Sequence, residues 1–144
     1  MDIKNFYSLI ITVPQKAMKE AYIRSVLEAV FLDNSYICKN KYIDCDMLLK
    51  DLLENYGNGT YRIIKNNIYE YTKNDNKYTK KINAVIPNDI IKKAIERAKM
   101  EKVYVNGNFV DMSKLAKELF ILYAQNAFIM GGKQWKTTYT LEIV

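Results

Sequence analysis

An α+β fold, with about four helices packed on a largely antiparallel sheet, is what the sequence predicts for this chain of 144 residues. Three observations lead there. Apolar stripes at helical spacing alternate along the chain with short β-branched and aromatic runs. Asn- and Gly-bearing turns separate those runs. The length suits one domain, residues 1–144, with enough chain to bury a core without disulfides or metal.

The elements follow in order. Phe6 to Val13, FYSLIITV, is an apolar, β-branched run that stops at Pro14 and reads as a strand buried on both faces. Pro14 suits a first helical turn, where no intrahelical donor is needed. From Gln15 to Leu32 the spacing of Met18, Tyr22, Val26 and Val30, with Ile23, Leu27 and Phe31 beside them, predicts a helix with that stripe inward. Lys16, Lys19, Glu20, Arg24 and Glu28 then form its solvated face. Asp33-Asn34-Ser35 breaks the helix, and Tyr36 to Ile43 reads as a polar connection. Asp44 or Asp46 caps a second helix whose stripe is Leu48, Leu49, Leu52, Leu53 and Tyr56, ended by Gly57 as a left-handed cap.

Thr60 to Ile86 carries the densest turn signals. Tyr61, Ile63 and Ile64 precede Asn66-Asn67; Ile68, Tyr69 and Tyr71 precede Asn74-Asp75-Asn76; Tyr78, Ile82, Val85 and Ile86 follow. This predicts an antiparallel three-stranded meander. Pro87-Asn88-Asp89 starts a third helix reaching about Met100, with Ile90, Ile91, Ala94, Ile95 and Ala98 inward. Val103 to Val110 is a hairpin centred on Asn106-Gly107, a pair that favours a type I′ turn. Asp111 and Ser113 cap a fourth helix from Lys114 to about Asn126. Its apolar residues nearly encircle the second half and predict the most buried helix. Gly131-Gly132 makes a turn, and Trp135 to Val144 alternates as a closing strand.

Composition narrows the chemistry. Nothing in the chain approaches the roughly 18 apolar residues that a membrane span needs. The start, Met1-Asp2-Ile3-Lys4, does not follow a secretory-signal pattern, so a cytoplasmic protein with no membrane partner is expected. There is no histidine, which removes histidine triads, histidine-metal sites and histidine acid–base catalysis. Cys38 and Cys45 stand alone as two reduced thiols. Asp44 and Asp46 are helix-start carboxylates before they are metal ligands. Gly131-Gly132-Lys133 lacks the spacing of a phosphate-binding loop, so no cofactor is expected. An enzyme is not expected either. A magnesium-dependent activity would require several carboxylates to converge in the fold.

The net charge of +6 is placed unevenly. Residues 61–102 hold eleven basic and five acidic groups, whereas the flanking segments are nearly balanced. A localised positive field is the footprint of a phosphate-bearing partner or an acidic protein surface. Exposed aromatics beside lysines would supply a stacking platform for nucleic acid. Arg62, Lys65, Tyr69, Tyr71, Lys73, Lys77, Tyr78, Lys80 and Lys81 are the candidate binding residues. Lysine outnumbers arginine 19 to 3, a modest endowment for bidentate phosphate contacts. A winged-helix reading fits less well, because the second helix exposes Lys50, Asp51, Glu54 and Asn55.

The Lys-, Asn-, Ile- and Tyr-rich composition matches coding by an AT-rich genome. In that composition, in size and in lacking catalytic residues, the chain resembles small accessory proteins of phages and plasmids, including anti-CRISPR inhibitors of host defence. The resemblance is compositional and implies a protein that works by occupying a surface; it carries no site residues. The expectation is therefore a non-enzymatic binding protein whose basic meander contacts nucleic acid or a nucleoprotein complex. The alternative is an inhibitor that engages a protein partner alone.

Overall fold

The computed structural model describes residues 5–31, 37–38, 42–60 and 70–125. The chain opens with strand β1 (Phe6–Pro14), which runs directly into helix α1 (Gln15–Phe31). A short ladder, β2 (Ile37–Cys38) with β3 (Tyr42–Ile43), occupies the segment expected to be an irregular connection. Helix α2 (Cys45–Gly57) follows, then β4 (Thr79–Pro87), α3 (Asn88–Glu101), the hairpin β5 (Val105–Asn106) and β6 (Phe109–Val110), and α4 (Met112–Ala124). The α+β class with four helices is as predicted.

The central pairing is not the local meander. β4 pairs antiparallel with β1 over nine residues, from Phe6 opposite Pro87 to Pro14 opposite Thr79. Residues 70–78 contain no strand: Tyr71 and Thr72 belong to no regular element, and Asp75–Lys77 form one 3₁₀ turn. The earlier meander residues, Tyr61 to Tyr69, and the expected turn at Gly131 and strand at Trp135–Val144 lie outside the described residues. Turn residues mark where a chain reverses but not which strand receives the next one.

β1 is buried on one face, not two. Leu9, Ile11 and Val13 are buried on the same side as Ile82, Ala84 and Ile86 of β4, while Ile10, Thr12, Asn83 and Val85 are exposed. Antiparallel ladders commonly keep one wetted face, and the strict alternation here follows from the pleat. α2 packs on the core side of β4 and α4 on that of β1. Both ladder strands are also held from helix starts. Asp46 Oδ1 accepts the Val85 amide at 3.3 Å, and Ser113 Oγ donates to the Ile10 carbonyl at 2.9 Å.

Two helices follow their stripes closely. Leu48, Leu49, Leu52, Leu53 and Tyr56 are the buried residues of α2, and Ile90, Ile91, Ala94 and Ala98 those of α3. α4 buries eight residues, more than α2 or α3, as its encircling apolar pattern predicted. Asp44 caps α2 by accepting from the Met47 amide, and Asp111 caps α4 through Lys114. Ser113 is thus inside α4 and not its cap.

Gly57 is helical. Its role is close approach: a Cβ there would stand 3.0 Å from Ala94 N and 3.1 Å from Lys93 C on α3. The left-handed residue is Gly59, at φ 87. In the hairpin Asn106 pairs with Phe109, so the loop is Gly107-Asn108, with positive φ at Gly107 only. That is the type II′ pattern, one residue later than the Asn-Gly pair suggests.

α1 departs furthest. Among its described side chains the buried ones are Ala17, Ala21, Arg24 and Ser25, spaced as one helical face. Met18 and Tyr22 are half-buried, and Ile23 and Val26 are exposed. Small residues let α1 approach α4 closely, and the Arg24 guanidinium sits 4.8 Å from the Tyr123 ring centroid of that helix. Of the stripe expected inward, Met18, Tyr22, Ile23 and Val26 are thus half-buried or exposed rather than in the core.

Candidate functional site

The start of α1 and the turn before β4 meet at one corner of the molecule. Thr72 and Asp75 form it by reciprocal bonds: the Thr72 amide donates to Asp75 Oδ2 at 2.9 Å, and the Asp75 amide to Thr72 Oγ1 at 3.1 Å. This is the logic of a capping box, compressed into one turn. The Thr72 amide is the main reason the Asp75 carboxyl is held below its ordinary range. Lys16 Nζ stands 3.9 Å from Asp75 Oδ2, and the Gln15 amide donates to the Tyr78 carbonyl at 2.9 Å. These contacts fix Tyr78 beside the first turn of α1.

Tyr78 itself projects outward, with 61% of its surface exposed. Lys77 Nζ lies 5.8 Å from its ring centroid, within cation–π range. Lys73, Lys77 and Lys80, its neighbours in sequence, are exposed, and Lys16 of α1 reaches the same turn through Asp75. From sequence Lys16 reads as solvated surface. It joins the site because Pro14 pairs with Thr79, which sets the start of α1 against Tyr78.

The other predicted residues divide. Lys81 stands opposite exposed Thr12, whereas Lys80 stands opposite buried Val13, so these neighbours project to opposite sides of the ladder. Tyr71 offers no stacking surface: it is half-buried and its hydroxyl donates to Glu20 Oε1 at 2.7 Å. Burial pushes its phenol well above the ordinary value, Glu20 adds to that, and Gln125 opposes it. Arg62, Lys65 and Tyr69 lie outside the described residues.

Beside the corner runs a groove of about 460 Å³, lined by Gln15, Met18, Lys19, Tyr22 and Ile23 of α1, Ile43 of β3, and Lys80 of β4. It exists because α1 turns its small residues to the core. None of the lining residues but Lys80 was picked out from sequence as a site residue, since a Met-Tyr-Ile stripe reads first as core.

No family model, curated protein or solved structure matches the chain. Function must therefore be argued from the site alone.

Several groups that invite a catalytic reading are engaged in the fold. Asp44 is a helix cap, Asp46 holds the Val85 amide, and Glu20 holds Tyr71. Glu101 accepts from the Tyr56 hydroxyl at 2.7 Å and from Arg97 at 3.0 Å, bracing α2 against α3. Among the described residues no group of three His, Cys, Asp or Glu side chains is placed to hold a metal ion. The Cys45 thiol is pushed up to about 11 by burial first and then by Asp44 and Asp46, so it is protonated near neutrality and a poor nucleophile. No helix among the described residues is long and apolar enough to cross a membrane.

Proposed function

We propose that this is a binding protein without a catalytic step of its own, which contacts nucleic acid, free or within a nucleoprotein complex, through the corner around Tyr78. The observation that carries this reading is an exposed aromatic ring beside the Lys77 ammonium, with exposed Lys73 and Lys80 a few positions away in the chain. A ring of that kind stacks on an unpaired base while neighbouring lysines meet phosphates. Single strands fit better than duplex, whose bases offer no free face to one projecting tyrosine. Composition supports a cytoplasmic setting and an accessory protein of a phage or other mobile element as parts of the same proposal.

Fluorescence anisotropy with labelled single-stranded and duplex DNA and RNA, at two salt concentrations, tests it. With three phosphate contacts from Lys73, Lys77 and Lys80, log affinity for a single strand falls against log salt with a slope of about −2. Tyr78→Ala weakens single-strand binding about 5- to 150-fold, the worth of one stacked base, while Tyr78→Phe does not. Binding unaffected by Tyr78→Ala, or absent at low salt, defeats the proposal.

A further inference from the structure

The groove along α1 carries a second, separate inference. Its floor is apolar: Met18, Tyr22 and Ile23 on one side and Ile43 on the other, with Ile23 58% exposed. Its volume of about 460 Å³ falls in the range of real binding clefts. Methionine adapts its shape to different ligands, and tyrosine gives a rigid amphipathic surface, a pairing suited to receiving another protein's side chains.

The rim decides the class of ligand. Lys19 and Lys80 supply two ammonium groups, and among the described residues no carboxylate lines the groove. Asp44 and Asp46 lie near enough to act on Cys45 together with Lys80, but neither lines the groove. A cationic rim around an apolar floor is complementary to a segment that is acidic at its flanks and apolar at its centre. Nucleic acid has the charge but no aliphatic group to fill the floor, whereas an acidic amphipathic peptide has both.

We infer that this groove docks an acidic amphipathic segment of a partner protein, its apolar side chains on Met18, Tyr22, Ile23 and Ile43 and its carboxylates on Lys19 and Lys80. The groove shares Lys80 with the Tyr78 corner, and Gln15, whose amide holds the Tyr78 carbonyl, adjoins both, whereas Ile23 belongs to the groove alone and Tyr78 to the corner alone. The two sites thus succeed or fail by different residues.

Selection from a random peptide display library against the full chain, followed by anisotropy of the selected peptides, is the test. The expected peptides combine Asp or Glu with large aliphatic or aromatic residues. Their affinity drops about tenfold or more on Ile23→Glu, as it would for loss of a central anchor, and falls on Lys19→Glu, while Tyr78→Ala leaves it unchanged. Circular dichroism confirms that each variant is folded; Lys19 is exposed, so its variant keeps the test open if Ile23→Glu does not fold. Recovery of no peptides, of neutral or basic peptides, or of peptides insensitive to both substitutions overturns the inference. So does displacement of the groove's peptides by Tyr78→Ala alone.

Discussion

Replacing Ala21 by leucine and Ile23 by lysine separates the two faces of α1 by a difference in stability. Ala21 is fully buried on the same face of α1 as Ala17 and Ser25, and α1 packs on α4. Adding three carbons there forces off-rotamer side chains or a backbone shift, a cost of about 1–3 kcal/mol. Ile23 is more than half exposed, and a lysine can lay its methylenes along the same surface with its ammonium in water, so its effect stays within about 0.5 kcal/mol. Urea denaturation followed by circular dichroism reads both. A loss of about 2 kcal/mol lowers the midpoint by about 1 M urea when the slope is about 2 kcal/mol per molar. In thermal melts the same loss is a fall of about 4–8 °C. The apolar stripe, taken alone, predicts the opposite order: Ala21→Leu tolerated and Ile23→Lys severe. Finding that order would refute the placement of α1 and remove the groove with it.

Two further outcomes follow from close contacts and ionisation. Gly57→Ala gains helix propensity of about 1 kcal/mol but drives a Cβ onto the α3 backbone at Ala94 and Lys93, so a net loss of about 1 kcal/mol in urea denaturation is expected, and a more stable variant would show that α2 and α3 are not this close. Cys45 titrates at about 11 in the fold against 9.0 ordinarily; between those values the unfolded chain loses the proton first, so folding stability falls as pH rises from about 9 to 11. Comparing Cys38→Ser with the double variant that adds Cys45→Ala isolates this slope, which the second substitution abolishes; equal slopes would mean that the thiol is not shielded.

The fold was legible wherever large apolar residues did the packing. α2, α3 and α4 put their leucines, isoleucines and aromatics inward, so period alone located their faces. α1 was misread because close approach selected its smallest residues for the interface, and alanine and serine carry little signal in a hydrophobic pattern. Even Arg24, read as solvated, is buried against Tyr123. The β1–β4 pairing lay beyond sequence reasoning, since the local turn signals at Asn74–Asn76 are genuine yet serve a 3₁₀ turn whose Thr72–Asp75 bonds a capping-box search would have found.

The candidate site was legible to the same extent. Lys77 and Tyr78, picked out by charge and aromatic spacing, lie side by side, and Lys73 and Lys80 are exposed. Tyr71 follows the same rule in sequence but bonds to Glu20, 51 positions earlier in the chain. Lys16 reaches the corner only through the long-range ladder.

That ladder also sets a clock for the nascent chain. Pro14 and Thr79, at one end of the pairing, are 65 positions apart, so β1 is made well before the strand that pairs with it. At about 5–20 residues per second, the ribosome leaves β1 without its partner for about 3–13 s. Leu9, Ile11 and Val13 pass that interval beside unpaired backbone amides and carbonyls, the state in which strands associate with other chains. α4, which packs on the core side of β1, is made later still. Yield during expression should accordingly depend on elongation rate and temperature more steeply than the stability of the finished fold would suggest.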